Sequence, residues 1–378
     1  MSRLVFLTCH LTGTGHLVRT LTLARTAQRL GHEAVVITGG RMVPHIDLSG
    51  LSVVQLDPIF VKRFEFHNLR DANGGPATEA YMASRRAALE RNISELAPDA
   101  LITELYPFGR RVLAEEFLAG IIAARTVNPK VAVISSIRDI PEPKPKRLTE
   151  TATHLLKKYH GVLVHGDADF LPLWTTWPLP DDVAPLIHHV GYVGGGVSHP
   201  EPERRRGDVL VSVGGGALGR QTLAAAAEAA GLSDRPWHLL VGGSDAKDAV
   251  AELKTRFARP NLTIEPTRSD YRDLLTGAGC SVSLCGYNTA VELLARQTPA
   301  LLVPSEEADE MEQTIRARRL SALPGLSVLP MDQVTPDALA NHAERLASGP
   351  ARPASPLPGD DGDAAIRVVE DIIARRRD

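Results

Sequence analysis

Apolar residues fall along this chain in short blocks. Each block is followed by a longer stretch in which they recur every three or four positions. The first block is residues 3–8. From Thr14 onward, Leu17, Leu21, Ala24, Ala27 and Leu30 return at helical spacing, and Gly31 supplies a helix stop. "AVVIT" (34–38) is the next block, then "ALIT" (100–103), "VAVIS" (131–135) and "GVLVH" (161–165), with helical stretches between them. The blocks are continuous rather than alternating, so they predict strands buried on both faces. That is the pattern of a parallel sheet covered by helices.

The alternation breaks at "HHVGYVGGGVSHPEPERRRGD" (188–208), a turn-rich, charged passage of linker composition. It then restarts. "DVLVSV" (208–213) predicts a strand, "GGGALGR" a turn and "QTLAAAAEAA" a helix; "HLLVG", "LTIEP", "CSVSLC" and "PALLVP" predict further strands. A chain of 378 residues exceeds one simple core. The expectation is therefore two doubly wound α/β domains, 1–190 and 208–358, joined by a linker at 191–207. Beyond the Pro- and Asp-rich "PARPASPLPGDDGD" (350–363), residues 359–378 predict a last helix that packs back on the first domain.

Composition narrows the function classes. The chain is 43% hydrophobic and 23% charged with a net charge of −3, which offers no basic excess for a nucleic-acid partner. Three cysteines, Cys9, Cys280 and Cys285, are too few for a disulfide scaffold and point to a reducing, cytoplasmic compartment. No apolar run near the N-terminus is long enough to read as a leader or a membrane span. The sequons at Asn92 and Asn261 then read as chance matches.

Candidate chemistry gathers where strands end. In a parallel sheet the carboxyl ends share one edge, and ligands bind there. On that edge the first half places Gly15 and His16 of "GTGH", Glu104 after "ALIT", Arg138 and Asp139 after "VAVISSI", and His165 after "GVLV". "GTGHLVR" lacks the third glycine of a dinucleotide fingerprint, and the second strand ends in Thr38-Gly39-Gly40 without an acid for a ribose. A nicotinamide site is not expected. The glycines instead allow close approach of another molecule. His16, in the first helical turn, has its cation disfavoured by the helix dipole, which suits a proton acceptor. His16 and Glu104 are both candidates for a general base, and the residues alone do not rank them.

The second half carries a different set. Gly214, Gly215 and Gly216 follow a strand, with Arg220 just beyond. Gly286, Tyr287, Asn288 and Thr289 open a helix whose free N–H groups suit a diphosphate. Glu292, on that helix, can accept from a ribose diol; Glu312 and Gln313 lie in the helix after the next strand. Asp167-x-Asp169 reads as a helix start, and no metal or resident cofactor is expected.

"GTGHLVRTLTLARTAQRLGHE", "GGGALGR" and "GYNTAVELLARQTPALLVP" resemble the family 28 glycosyltransferases, which include the enzyme adding N-acetylglucosamine to the lipid-linked peptidoglycan precursor. "TELYPFGRR", "SSIRDI" and "GVLVHGD" resemble a family of predicted bacterial glycosyltransferases within that group. The resemblance implies a GT-B fold: two doubly wound Rossmann-like domains facing across a cleft, with acceptor in the first and nucleotide-sugar in the second. It implies a hexosyltransferase with a UDP-linked donor, inversion at the anomeric carbon and no obligatory metal. By position, Glu292 matches the ribose acid, Gly286 to Thr289 the diphosphate turn, Gln313 a donor-sugar contact and His16 the histidine of the N-terminal loop. Two departures stand out: Gly215-Gly216 replaces a serine of the second loop, and the first loop has one glycine fewer. Basic and aromatic residues in 60–75 and 144–160 suggest an amphipathic, anionic or lipid-linked acceptor, or a peripheral contact with the inner membrane face. A nucleotide-sugar 2-epimerase and a non-catalytic nucleotide-sugar-binding protein remain as competing readings.

Overall fold

The computed structural model describes residues 1–11, 13–43, 46–62, 65–194, 207–213, 217–243, 245–306 and 310–378. Gly214, Gly215, Gly216 and most of the expected linker therefore lie outside the described residues. The chain divides into two compact units, Met1–Gly194 with Leu357–Asp378, and Gly195–Pro356.

In the first unit the apolar blocks form strands β1 (Arg3–Thr8), β2 (Glu33–Thr38), β4 (Ala100–Glu104), β5 (Ala132–Arg138) and β6 (Gly161–His165). Two short strands, β3 (Ser52–Gln55) and β7 (Ile187–His189), close the sheet at its edges. All seven are parallel, in the order β3-β2-β1-β4-β5-β6-β7. Successive side chains of a strand point to opposite faces. Leu4 and Phe6 of β1 accordingly join one core and Val5 and Leu7 the other.

Helix α1 (Gly15–Arg29) buries Leu17, Leu21, Ala24 and Ala27, its apolar stripe, and the chain leaves it through Gly31 at φ 87°. Helices α2 (Glu79–Leu96), α3 (Ala114–Val127) and α4 (Lys146–Leu156) complete the connections. The expected strand at 131–135 runs on to Arg138, so Arg138 is a strand residue. Of the aromatic loop, Phe60 lies beneath the Arg41 guanidinium, 3.3 Å from its ring centre, and Phe66 packs on the core. Arg63 and Phe64 lie outside the described residues.

After the two-residue strand β8 (Tyr192–Val193), the second unit builds β9 (Val209–Ser212), β10 (Trp237–Val241), β11 (Leu262–Pro266), β12 (Cys280–Ser283), β13 (Ala300–Leu302) and β14 (Leu326–Val328). Its six strands are parallel in the order β11-β10-β9-β12-β13-β14. Between and after them run α5 (Ala217–Ala229), α6 (Ala246–Arg256), α7 (Tyr271–Gly277), α8 (Tyr287–Leu294), α9 (Glu312–Leu320) and α10 (Pro336–Ser348). The chain then returns to the first unit. β15 (Gly359–Asp360) pairs with β8, and α11 (Asp363–Arg377) buries Ala365, Ile366, Val369, Ile372 and Ile373 in the core that holds Leu4 and Phe6. Burying an aliphatic side chain contributes about 1.5–3 kcal/mol, so this last helix is a major part of that core.

Candidate active site

Each sheet reverses its strand order at its first strand, between β1 and β4 and between β9 and β12. Connections leave in opposite directions at such a point and open a crevice at the strand ends. In the first unit this brings His16, at the start of α1, onto Glu104, the last residue of β4. His16 Nδ1 lies 2.8 Å from Glu104 Oε1. Arg19, one turn further along α1 and 2% exposed, donates from Nη2 to the same oxygen. Parallel register sets Ser136 opposite Glu104 and His165 opposite Arg138. Ser136 Oγ donates to Glu104 Oε2 at 3.2 Å and lies 2.9 Å from His165 Nε2. A hydroxyl has one proton to give, so His165 Nε2–H is the donor to Ser136. A hydrogen-bonded row, His16–Glu104–Ser136–His165, thus crosses the ends of β1, β4, β5 and β6.

The charges along this row follow from burial and from the arginines. Burial alone would raise the Glu104 carboxyl, but Arg19 and His16 outweigh it and hold it at about 2. Burial, and then Arg110, pushes His16 down to about 3. Burial, and then Arg19, pushes His165 to about 3 as well. Glu104 is therefore an anion between two neutral imidazoles. An anionic carboxylate only accepts, so His16 carries its proton on Nδ1 and presents a lone pair on Nε2. That Nε2 makes no hydrogen bond among the described residues, and the side chain is 16% exposed.

Sequence reasoning missed Arg19, Ser136 and Arg110. The signal for Arg19 was its i+3 spacing from His16. Arg110, held at φ 57°, donates from Nε to the Cys9 carbonyl at 2.7 Å, and its charge acts on both His16 and Glu104. Arg138, at the end of β5, is half-buried and its charge reaches Arg110. Asp139 is fully buried, with Oδ1 accepting from the Ile140 N–H at 2.8 Å. Gly15 is the first residue of α1. Asp167 turns its carboxylate onto the N–H groups of Asp169 and Phe170, at 3.0 and 2.7 Å, closing a turn where the sequence suggested the start of a helix.

In the second unit Gly286 is the N-cap of α8, without a side-chain cap and with no acidic residue in the first turn. A Cβ on Gly286 would meet nothing within 4 Å. Tyr287 is buried, while Asn288 and Thr289 are half-buried. Gln313 Oε1 accepts from the backbone N–H of Cys285 at 3.1 Å and of Ser305 at 3.2 Å, joining the loops after β12 and β13. Two N–H donors require the oxygen there, which turns the amide NH2 the other way.

Glu292 is gripped by two arginines: Arg272 Nε at 2.8 Å from Oε1 and Arg296 Nη1 at 2.5 Å from Oε2. Beside it, burial and then Glu292 push the Tyr271 hydroxyl up to about 12. Glu312 is buried and pairs with Arg316 at 2.7 Å, whose Nη1 donates to the Cys285 carbonyl at 2.9 Å. Arg220 reaches Asp245 at 2.7 Å and the Gly242 carbonyl at 3.2 Å. The structure thus gathers Gly286, Tyr287, Asn288, Thr289 and Gln313 around the end of β12, and sets Glu312 and Arg220 in ion pairs. Among the described residues no group of three or more His, Cys, Asp or Glu could hold a metal ion, and no helix is long and apolar enough to cross a membrane.

Residues 210–360 match the family model described as the glycosyltransferase family 28 C-terminal domain, which bears out the resemblance read from the second half of the sequence. A curated relative from Rhodospirillum centenum, UDP-N-acetylglucosamine--N-acetylmuramyl-(pentapeptide) pyrophosphoryl-undecaprenol N-acetylglucosamine transferase, is 30% identical over 132 residues. That match spans 34% of this chain and 34% of the relative, so about a third of each. Solved structures extend the likeness in fold to the whole chain. Glycosyltransferase VinC, in complex with dTDP, is 18% identical with a TM-score of 0.63, covering 99% of this chain and 100% of its own. MurG of Acinetobacter baumannii is 16% identical with a TM-score of 0.59, with the same coverage. The fold is thus GT-B, two parallel Rossmann-like α/β sheets.

Proposed function

We propose that this protein is a glycosyltransferase that moves a sugar from a UDP-linked donor to an acceptor hydroxyl, with inversion at the anomeric carbon. The observation that carries this reading is the His16–Glu104 contact at 2.8 Å, with Glu104 kept ionised by Arg19. In that arrangement His16 is the base and Glu104 orients it. The acceptor hydroxyl gives its proton to His16 Nε2, its oxygen bonds to the anomeric carbon, and the bond from that carbon to the diphosphate oxygen breaks. A single displacement of this kind inverts the centre. A positioned base contributes about 10²–10⁴-fold.

The leaving diphosphate gathers negative charge, and the uncapped first turn of α8 supplies N–H groups and a positive dipole end for it. Gln313 offers its NH2 to a donor-sugar hydroxyl. Glu292, pre-set by Arg272 and Arg296, accepts from the ribose diol. The matched relative's name contains UDP-N-acetylglucosamine, which supports the choice of nucleotide.

Donor hydrolysis followed by NMR needs no known acceptor and tests the reading directly. Wild-type protein with UDP-sugars should release UDP, and His16→Ala should lower that rate about 10²–10⁴-fold with UDP binding intact. Conversion of the donor to an epimer with no acceptor present would instead identify an epimerase. Turnover left intact in both His16→Ala and Glu104→Ala would reject the assignment of the base. Loss of activity in EDTA with recovery on Mn²⁺ would overturn the metal-free scheme.

A further inference from the structure

The first unit holds a cavity that the scheme above does not use. It lies between the opening turns of α2 and α3 and has a volume of about 450 Å³. Small-molecule sites run from roughly 300 to 1,000 Å³, so this one is large enough for an organic ligand. Leu69, Met82 and Leu113 form apolar wall, and Val112, 39% exposed, extends it at the surface.

The charges in this cavity are unevenly matched. Glu115 pairs with Arg86, and Glu116 is held by Arg85 in a two-point contact at 2.8 and 3.1 Å. Glu79 is exposed at the start of α2. Arg111 is different. It is half-buried and makes no hydrogen bond or ion pair among the described residues, and its Nη1 is shielded from solvent with no acceptor. Arg111 lines the cavity, and a planar guanidinium fits a carboxylate or phosphate with parallel hydrogen bonds from the edge it exposes.

Position ties this cavity to the proposed base. Arg110, at φ 57° and ψ 27°, turns the backbone sharply. Consecutive guanidinia therefore serve different places: Arg110 the Cys9 carbonyl and the His16–Glu104 pair, Arg111 the cavity. We infer that the cavity binds an amphipathic anion, with its apolar body against Leu69, Met82 and Leu113 and its carboxylate or phosphate on Arg111. Only the name of that occupant, the non-reacting end of the acceptor, rests on the transferase reading.

Calorimetric titration of the full chain below the probes' micelle concentrations tests this. The probes are decanoate, octyl phosphate, inorganic phosphate and uncharged octyl glucoside. Decanoate or octyl phosphate should bind, and the better of the two identifies the head group; octyl glucoside and inorganic phosphate should bind far more weakly. Arg111→Met should weaken the anion about 10–100-fold, the worth of a charge-assisted hydrogen bond, and Arg111→Lys should restore part of it. Val112→Asp, a surface change that spares the core, should also weaken it. Anion binding unchanged in Arg111→Met and Val112→Asp, or octyl glucoside binding as well as the anions, would overturn the inference. So would the absence of binding by either amphiphile. Amphiphile binding without donor turnover would sink the transferase reading and leave the subsite standing. Turnover with an Arg111-independent acceptor KM would overturn the acceptor as the occupant and leave the cavity's affinity for amphipathic anions standing.

Discussion

A histidine becomes a usable base when its tautomer is fixed and its outer nitrogen is left open, and Glu104 supplies the first condition. Replacing Glu104 by Gln leaves an oxygen for His16 and Arg19, with its NH2 toward Ser136, but removes the negative charge that stabilises the imidazolium formed when His16 takes a proton. We expect kcat to fall about 10²–10⁴-fold with little change in donor KM, measured by steady-state kinetics. Arg19 acts one step back. Arg19→Met leaves a buried carboxylate unpaired, which costs about 3–5 kcal/mol and lets burial raise the Glu104 carboxyl. The proposed scheme needs the ionised form, so the acid limb of the kcat/KM profile should move to higher pH in this variant. An unchanged profile would remove Arg19 from the role of counterion. His16 and Glu104 were legible as polar residues closing apolar blocks. Arg19 was not, because an arginine inside "HLVRTLTLAR" reads as a solvated helix position until the sheet brings Glu104, 85 positions along the chain, to meet it.

At the level of elements, strands buried on both faces announced themselves. β1, β2, β4, β5, β6 and β9 lie within a few residues of the apolar blocks that predicted them. The edge strands β3, β7 and β14 gave no such signal: each is three or four residues long, and most of their positions are only half-buried. The opening of α8 permits a sharp test of the donor turn. Gly286 has φ −63° and ψ 158°, which any L-residue adopts, and open space where a Cβ would stand. The fold itself therefore has no need of glycine there. Gly286→Ala should leave stability unchanged or raise it by about 0.4–1 kcal/mol, because the unfolded chain loses freedom. A methyl group at that point would stand in the way of a diphosphate approaching the N–H groups, and UDP affinity should drop by about tenfold or more, a cost comparable to losing one charge-assisted hydrogen bond. Melting curves without ligand and titrations with UDP separate the two effects. Undiminished UDP binding would move the diphosphate away from this turn.

Across the whole molecule the two units differ in how they meet acid. The first holds His10, His16, His160, His165, His188 and His189, all shifted below the usual imidazole range, chiefly by burial. The second has His342 alone shifted in this way among the described residues. Burial, and then Arg376, pushes His160 down to about 4, and its Nδ1 accepts from the Val133 N–H at 2.9 Å, which an imidazolium cannot do. A histidine that is neutral when folded and ordinary when unfolded takes up a proton on unfolding at any pH below about 6.5. Stability is therefore complete above that pH and is lost as pH falls, down to about 3 for His16 and His165. Glu104 acts in the same direction over a lower window, from its ordinary 4.5 down to about 2. Each of His16 and His165 removes on the order of 1 kcal/mol between pH 7.5 and 5.5, a few kcal/mol for the pair, a large part of a typical domain's stability. Calorimetry should accordingly show two transitions that separate on acidification. The one that moves is assigned to the first unit by the fragment that thermolysin spares. His165→Asn keeps an N–H for Ser136 but cannot titrate, so it should recover about half of that loss. Equal acid shifts of both transitions, or a His165→Asn protein with the wild-type slope, would mean that these imidazoles are not held neutral in the folded chain, and His16 would then lose the lone pair on which its role as base depends.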